Sequence, residues 1–363
     1  MQPELTIVKP DRMSIPHIQT RVIEDVKKEQ AEFDPEMSEL QPYLDAISRS
    51  IGISDFLSRK LPKLEWLVEQ LMYLGQLIML FAKAGVGKTW FALSLALAIS
   101  QGKKLFGPFS APRPVAVLYV DGEMSASELQ ERLKSLCTDA GECGLLQILS
   151  SELLAQEGFK TPNLSDPKCR EAFLRYVKDK PDIRFVVLDN ISSLTPGMSE
   201  QERIEWDDVN QWLLAMRRLG LTVLLIHHAG KGGDQRGTSA REDQLDLVLK
   251  LTKVEGRKIP TFKVEFQKAR SLTADQKKPF LVEIVEHQNG KITLQHKLVA
   301  EDDLAQVAFL VSMGLPQKEI GKRLGIAQGT VSKKIAKARD QKLLQGNVLT
   351  ECGEACCAGM SED

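Results

Sequence analysis

The chain has 363 residues, 43% of them hydrophobic and 27% charged, with a formal net charge of -1. This balance suits two globular domains with a short tail and excludes a disordered polyelectrolyte or a uniformly basic nucleic-acid coat, so any DNA contact must come from local patches. No signal-like n-region or h-region opens the sequence, Lys83 and Lys88 interrupt its apolar stretch, and six cysteines lack secretory spacing, which predicts a cytoplasmic protein with no membrane span.

Residues 1–45 are polar and read as an arm or linker with one short amphipathic helix in "KKEQAEFDPEMSELQPYL". The arm is either loosely ordered or packs on a neighbouring subunit. An α/β domain is expected over 46–298. Its first strand is the apolar run Leu77–Phe81, followed by Ala82-x4-Gly87-Lys88-Thr89. That is the phosphate-loop pattern with Ala in place of the first Gly. The segment Ala84, Gly85, Val86, Gly87, Lys88, Thr89 and Trp90 supplies backbone N–H groups for phosphate oxygens. Lys88 is suited to the β and γ phosphates and the Thr89 hydroxyl to Mg²⁺, so ATP and Mg²⁺ are the expected cofactors.

A second strand, Val115–Val120, runs into Asp121 and Glu123. Carboxylates at the C-terminal end of such a strand face the ligand crevice of open α/β sheets. Glu123 is therefore a candidate for polarising a water, or else an acid at the start of a helix that begins at Ser125 or Ser127. Phe185–Leu188 form a strand ending in Asp189, the position that orients Mg²⁺. Trp206, Val209, Leu213 and Met216 recur at helical spacing and read as core. The strand Thr222–Ile226 carries His227 and His228 at its tip. Zinc is not expected there, since no third ligand sits at metal spacing; contact with a γ-phosphate is.

The loop Gly230–Arg241 holds four glycines with Lys231, Arg236 and Arg241, and is either a solvated turn or a DNA contact. Alternation through Phe262, Val264 and Phe266 predicts another strand, with Lys268 and Arg270 beyond it on one side. They are a plain basic strand end or, in a ring, cations offered to the neighbour's γ-phosphate.

Taken together, "AKAGVGKT", "VLYVDGEM", "VVLDN", "LLIHHAGKGG…RGTSA" and "KAR" resemble the plasmid-encoded replicative helicases of the RepA type, within the RecA/DnaB-like superfamily of hexameric ATPases. The resemblance spans residues 60–275. It implies an α/β, RecA-like P-loop NTPase core with a mostly parallel sheet, assembled as a homo-oligomeric ring with ATP at subunit interfaces. It also implies Lys88 and Thr89 on phosphate and Mg²⁺, Glu123 as catalytic base, Asp189 as metal-orienting acid and His228 as γ-phosphate sensor. Arg270, with Lys268, would act in trans, and 230–241 would face single-stranded DNA in a central channel.

Asn289-Gly290 marks a hairpin turn. Beyond it, 299–345 reads as a small all-helical helix-turn-helix domain, with helices near 303–313, 317–324 and 328–342. Gln328, Thr330, Ser332, Lys333 and Lys334 sit near the start of the third helix. From Gln317 to Leu344 there are eight basic residues against two acidic, a local excess that fits DNA, although such modules also dock proteins. Residues 346–363 are expected to be a flexible tail, whose Cys352, Cys356 and Cys357 fall short of a four-ligand site. The function expected is an ATP-dependent translocase or helicase on single-stranded DNA in plasmid, phage or mobile-element replication, with replication or recombination proteins as candidate partners. The alternative is a DNA-bound ATPase switch that does not unwind.

Overall fold

The computed structural model describes residues 35–137, 144–198, 203–229, 244–357 and Met360. Their contacts form two units, one ending at Lys63 and the other beginning at Leu64, rather than dividing at the 45/46 boundary that the sequence suggests. In the first unit, α1 (Pro35–Ile47) and α2 (Ile53–Ser58) follow one another. Leu40, Tyr43, Leu44 and Ile47 recur on α1 at intervals of three and four, which puts them on one helical face, and all are exposed.

The second unit is built on one nine-stranded sheet. Its strands are β1 (Leu77–Ala82), β2 (Ala116–Asp121), β3 (Leu146–Ser150), β4 (Ile183–Asp189), β5 (Thr222–His228), β6 (Leu247–Lys253), β7 (Thr261–Ala269), β8 (Phe280–Glu286) and β9 (Ile292–Leu298). The spatial order is β9-β8-β7-β6-β1-β5-β4-β2-β3. From β6 to β3 all neighbours are parallel, whereas β7, β8 and β9 add antiparallel pairs.

Parallel central strands are covered on both faces, which is why they read as unbroken apolar runs. On β1, Ile78, Leu80 and Ala82 enter one core while Leu77, Met79 and Phe81 enter the other. The helices in chain order are α3 (Lys88–Gln101), α4 (Ala126–Leu136), α5 (Ser151–Gln156), α6 (Pro167–Asp179), α7 (Ile191–Leu194) and α8 (Arg203–Arg218). α3 and α4 bury Phe91, Leu95 and Leu129 in the first core. α6, α7 and α8 bury Phe173, Leu194, Trp206 and Leu213 in the second. The fold is an α/β core with a mostly parallel sheet: β1 leads into the glycine-rich turn, and one strand, β5, separates it from β4, which ends in Asp189. The parallel strands therefore bring Ala82, Asp121, Asp189 and His228 to one sheet edge, with Asp121 paired in register to Asp189 and Ala82 to His228.

β8 and β9 form the hairpin read at Asn289-Gly290, with Gly290 at φ +73°. β9 runs directly into α9 (Val299–Ser312), followed by α10 (Gln317–Leu324) and α11 (Gln328–Asp340). These three helices share a core of Val307, Val311, Ile320, Val331 and Ile335. The turn between α10 and α11 is tight. Gly325 closes α10 in the left-handed conformation, and a Cβ on Gly321 would sit 2.7 Å from the Ile326 carbonyl.

The segment expected to be a flexible tail differs in its first half. β10 (Leu344–Gln345) pairs with β11 (Val348–Leu349), and α12 (Glu351–Cys357) packs on α9 with Cys357 buried. Gly353 is the cause in sequence: α12 approaches the Leu343 carbonyl so closely that a Cβ there would stand at 2.1 Å. Among the described residues no helix is long and apolar enough to cross a membrane.

Candidate functional site

The C-terminal edge of the parallel strands opens on a cleft of 880 Å³. One wall is the turn from β1 into α3, residues Ala84 to Trp90. Gly85 and Gly87 take φ values of +76° and +122°, conformations closed to most side chains. At Gly87 a Cβ would also press Phe262 at 3.1 Å. The turn sets the start of α3, Lys88 to Trp90, in the lining of the cleft. No side chain caps that helix, and its first turn carries no acid.

Lys88 is buried, and its ammonium donates to the carbonyls of Ala82 (3.1 Å) and Lys83 (3.2 Å) and lies 3.2 Å from His228 Nδ1. Burial lowers its pKa, and the charges of Asp189 and Glu123 oppose that shift. Asp189 is buried as well, and burial raises its pKa. Hydrogen bonds from the Tyr119 and Thr89 hydroxyls pull the other way. The Tyr119 bond is 2.6 Å long, and burial together with the Asp189 charge holds that phenol well above its usual range.

Glu123 stands over the cleft, its side chain 53% exposed. Its Oε2 is 3.2 Å from His228 Nε2 and accepts from the Asn190 side-chain amide. Beneath it, the fully buried Asp121 accepts from the Met124 N–H at 3.1 Å through one oxygen, and its other oxygen has no partner. Burial first, then the Asp189 charge, raise the Asp121 pKa to about 7. Ser125 caps α4 through Glu128 N–H, as the sequence suggested.

The opposite wall comes from farther along the chain: Lys258, Ile259 and Pro260 between β6 and β7, and Ile284, Val285, Glu286 and Ile292 on the β8–β9 hairpin. Arg132 of α4 lies over the Trp90 ring, 5.3 Å from its centre, at the cleft rim.

The structure thus brings Lys88, Thr89, Glu123, Asp189 and His228 together. It does not bring Lys268 and Arg270 to them. β7 is antiparallel to β6, so its end lies at the far edge of the sheet, where Arg270 Nη1 is 3.8 Å from Asp246. Lys231, Arg236 and Arg241 lie outside the described residues. On α11, Gln328, Thr330, Ser332 and Lys333 are exposed, whereas Lys334 turns back to Asp303 of α9 at 2.9 Å. Sequence reasoning missed Asn190, Tyr119, Arg132 and the 258–260 segment. Asn190 follows the Asp189 it did find, but no spacing rule reports which strand ends meet.

A nucleotide with Mg²⁺ fits this residue set. The glycine turn leaves a cradle that side chains would fill, and the uncapped helix start offers donors to phosphate. Lys88 is bonded to carbonyls rather than neutralised by a paired carboxylate. The Thr89 hydroxyl and Asp189 carboxylate are adjacent hard-oxygen groups of the kind Mg²⁺ takes.

The model of an AAA domain family matches residues 49–234, just over half of the chain. The chain belongs to this AAA domain family. The matched AAA domain ends before β6, so the second cleft wall and the C-terminal helices lie beyond it. No curated protein matches the chain. Among solved structures, a KaiC-like protein from Pyrococcus horikoshii OT3 aligns at 20% identity and a TM-score of 0.44, over 63% of this chain and 93% of its own. The flagellar accessory protein FlaH from Methanocaldococcus jannaschii aligns at 12% identity and a TM-score of 0.44, over 62% of this chain and 91% of its own.

Proposed function

We propose that this AAA domain protein is a Mg²⁺-dependent ATPase that works on DNA as a homo-oligomer, a translocase or helicase of the RepA type acting on single strands. The observation that carries the ATPase reading is the convergence of Lys88, Thr89, Glu123 and Asp189 on one glycine-cradled cleft. Bound ATP would supply a phosphoanhydride whose hydrolysis can be coupled to movement. Lys88 and the N–H groups of Gly85 to Thr89 would hold its phosphates, and Thr89 with Asp189 would hold Mg²⁺. Glu123 is the one half-exposed carboxylate of the group and so the one able to accept a proton from water. His228, in reach of both Lys88 and Glu123, would report the phosphate end of the site to the water end.

Lys268 and Arg270 sit far from the cleft of their own chain, which suits cations acting on a neighbour's nucleotide and so favours a ring or filament, a hexamer by resemblance. DNA contact is assigned to Lys231, Arg236 and Arg241 in the channel loop. It is assigned also to α11, where Gln328, Thr330, Ser332 and Lys333 are exposed on the second helix of a helix-turn-helix. The exposed α11 favours one second reading, a DNA-bound ATPase switch without unwinding.

Steady-state ATPase rates with and without single-stranded DNA, paired with displacement of a forked duplex, test these readings. Stimulation with displacement is the expected result. Stimulation without displacement replaces the motor by the switch, and no effect of any DNA removes both.

A further inference from the structure

Asn190 has no role in the reading above, yet it is buried at 1% exposure beside Asp189 and within reach of the cleft residues Glu123 and His228. Its two side-chain ends do different things. The Oδ1 end accepts from the Ser193 N–H at 3.0 Å and from the Ser193 hydroxyl at 3.3 Å, which caps α7. A backbone N–H can only donate, so this bond fixes which end of the amide is oxygen. The Nδ2 end must then face the cleft, where it donates to Glu123 Oε2 and lies 3.0 Å from His228 Nε2.

The histidine tautomer follows from its other neighbour. The Lys88 ammonium can only donate, so His228 Nδ1 accepts and the ring proton resides on Nε2. That proton points to Glu123 Oε2, 3.2 Å away. The close approach of Nδ2 and Nε2 is therefore two donors sharing one carboxylate oxygen, not a bond between them. A glutamate with a side chain 53% exposed would otherwise spread over several rotamers in solvent.

We propose that Asn190 is a positioning residue: its amide, anchored through the α7 cap, clamps the Glu123 carboxylate jointly with His228 and so sets where that carboxylate stands over the cleft. The proposal rests on the reading of Glu123 as the water-activating group. The consequence is division of labour within one side chain, in which the cap supplies rigidity and the donor supplies aim.

The substitution Asn190→Asp separates the two ends, since aspartate caps a helix as well as asparagine but brings no donor. Asn190→Ser, which also caps, is the second variant should the first fail to fold. The expected result is an unchanged affinity for a fluorescent ATP analogue, an unchanged KM and a kcat lowered roughly 10- to 100-fold. Without any nucleotide, ¹⁵N-resolved imidazole spectra should show the Nε2–H tautomer for His228 in the natural chain. Its Nε2 proton signal should shift in Asn190→Asp. Combined with Glu123→Gln, the Asn190 substitution should add no further loss, because the clamp then has nothing to aim.

A wild-type kcat in Asn190→Asp while Glu123→Gln is inactive would leave Asn190 as a helix cap and overturn the proposal. Normal turnover in Glu123→Gln would instead overturn the reading of Glu123. The nucleotide-free spectra then decide the clamp by themselves: an Nδ1–H tautomer, or signals unmoved by Asn190→Asp, would sink it.

Discussion

Replacing Asp121 with Asn should stabilise the protein, and increasingly so as the pH rises. Asp121 is fully buried with one oxygen unpartnered, and burial followed by the Asp189 charge raises its pKa to about 7. In the unfolded chain it titrates near an ordinary value of roughly 3.9. Between these limits the unfolded chain has released the proton and the folded chain still holds it, so stability falls as pH rises through the window. Above the folded pKa the full cost applies, about 4 kcal/mol for a displacement of this size. Between pH 5 and pH 8 the group should remove about 2.5 kcal/mol. Asparagine keeps an oxygen for the Met124 N–H and presents an amide where the unpartnered oxygen stood. Urea unfolding of both proteins, followed by circular dichroism at pH 5 and pH 8, measures the difference. The gap between variant and natural chain should widen by that amount on going to pH 8. Equal gaps at the two pH values would refute the reasoning, because they would mean that Asp121 titrates alike in both states.

Two further outcomes are expected. Lys88→Ala should lower ATP turnover by roughly 10²- to 10³-fold without loss of thermal stability, since burial already disfavours the ammonium; phosphate release and a melting curve check both halves. Arg257→Ala should cost about 3 kcal/mol, because it strands the buried Asp302, to which Gln306 still donates; calorimetry reads it, and a loss near zero would show that Asp302 finds water.

The fold was legible where chemistry and periodicity agreed. The apolar runs Leu77–Phe81, Val115–Val120, Phe185–Leu188 and Thr222–Ile226 fall on β1, β2, β4 and β5, because strands covered on both faces need no polar alternation. Gly325 and the Gln317 start located α10 to the residue. Half of the site was legible for a related reason: phosphate loops and strand-end carboxylates are local signals. The other half is assembled by topology. Tyr119 meets Asp189 across 70 residues and Asn190 meets Glu123 across 67, and neither separation leaves a mark on a single sequence. The order of residues 351–357 has no periodic signal in the sequence and depends on a single glycine, Gly353, where α12 meets the Leu343 carbonyl.

The segment between β6 and β7 faces two ways. At Arg257 it is locked to the helical end of the molecule, by a buried ion pair to Asp302 on α9 and a backbone bridge to Met360. The next three residues, Lys258 to Pro260, form the outer wall of the cleft. Three residues reach at most about 10 Å, so this tether has almost no slack. β9, which adds Ile292 to that wall, continues at its other end into α9 without a linker. The helical end is thus joined to the wall of the cleft by two short runs of chain, the residues after Arg257 and the strand β9.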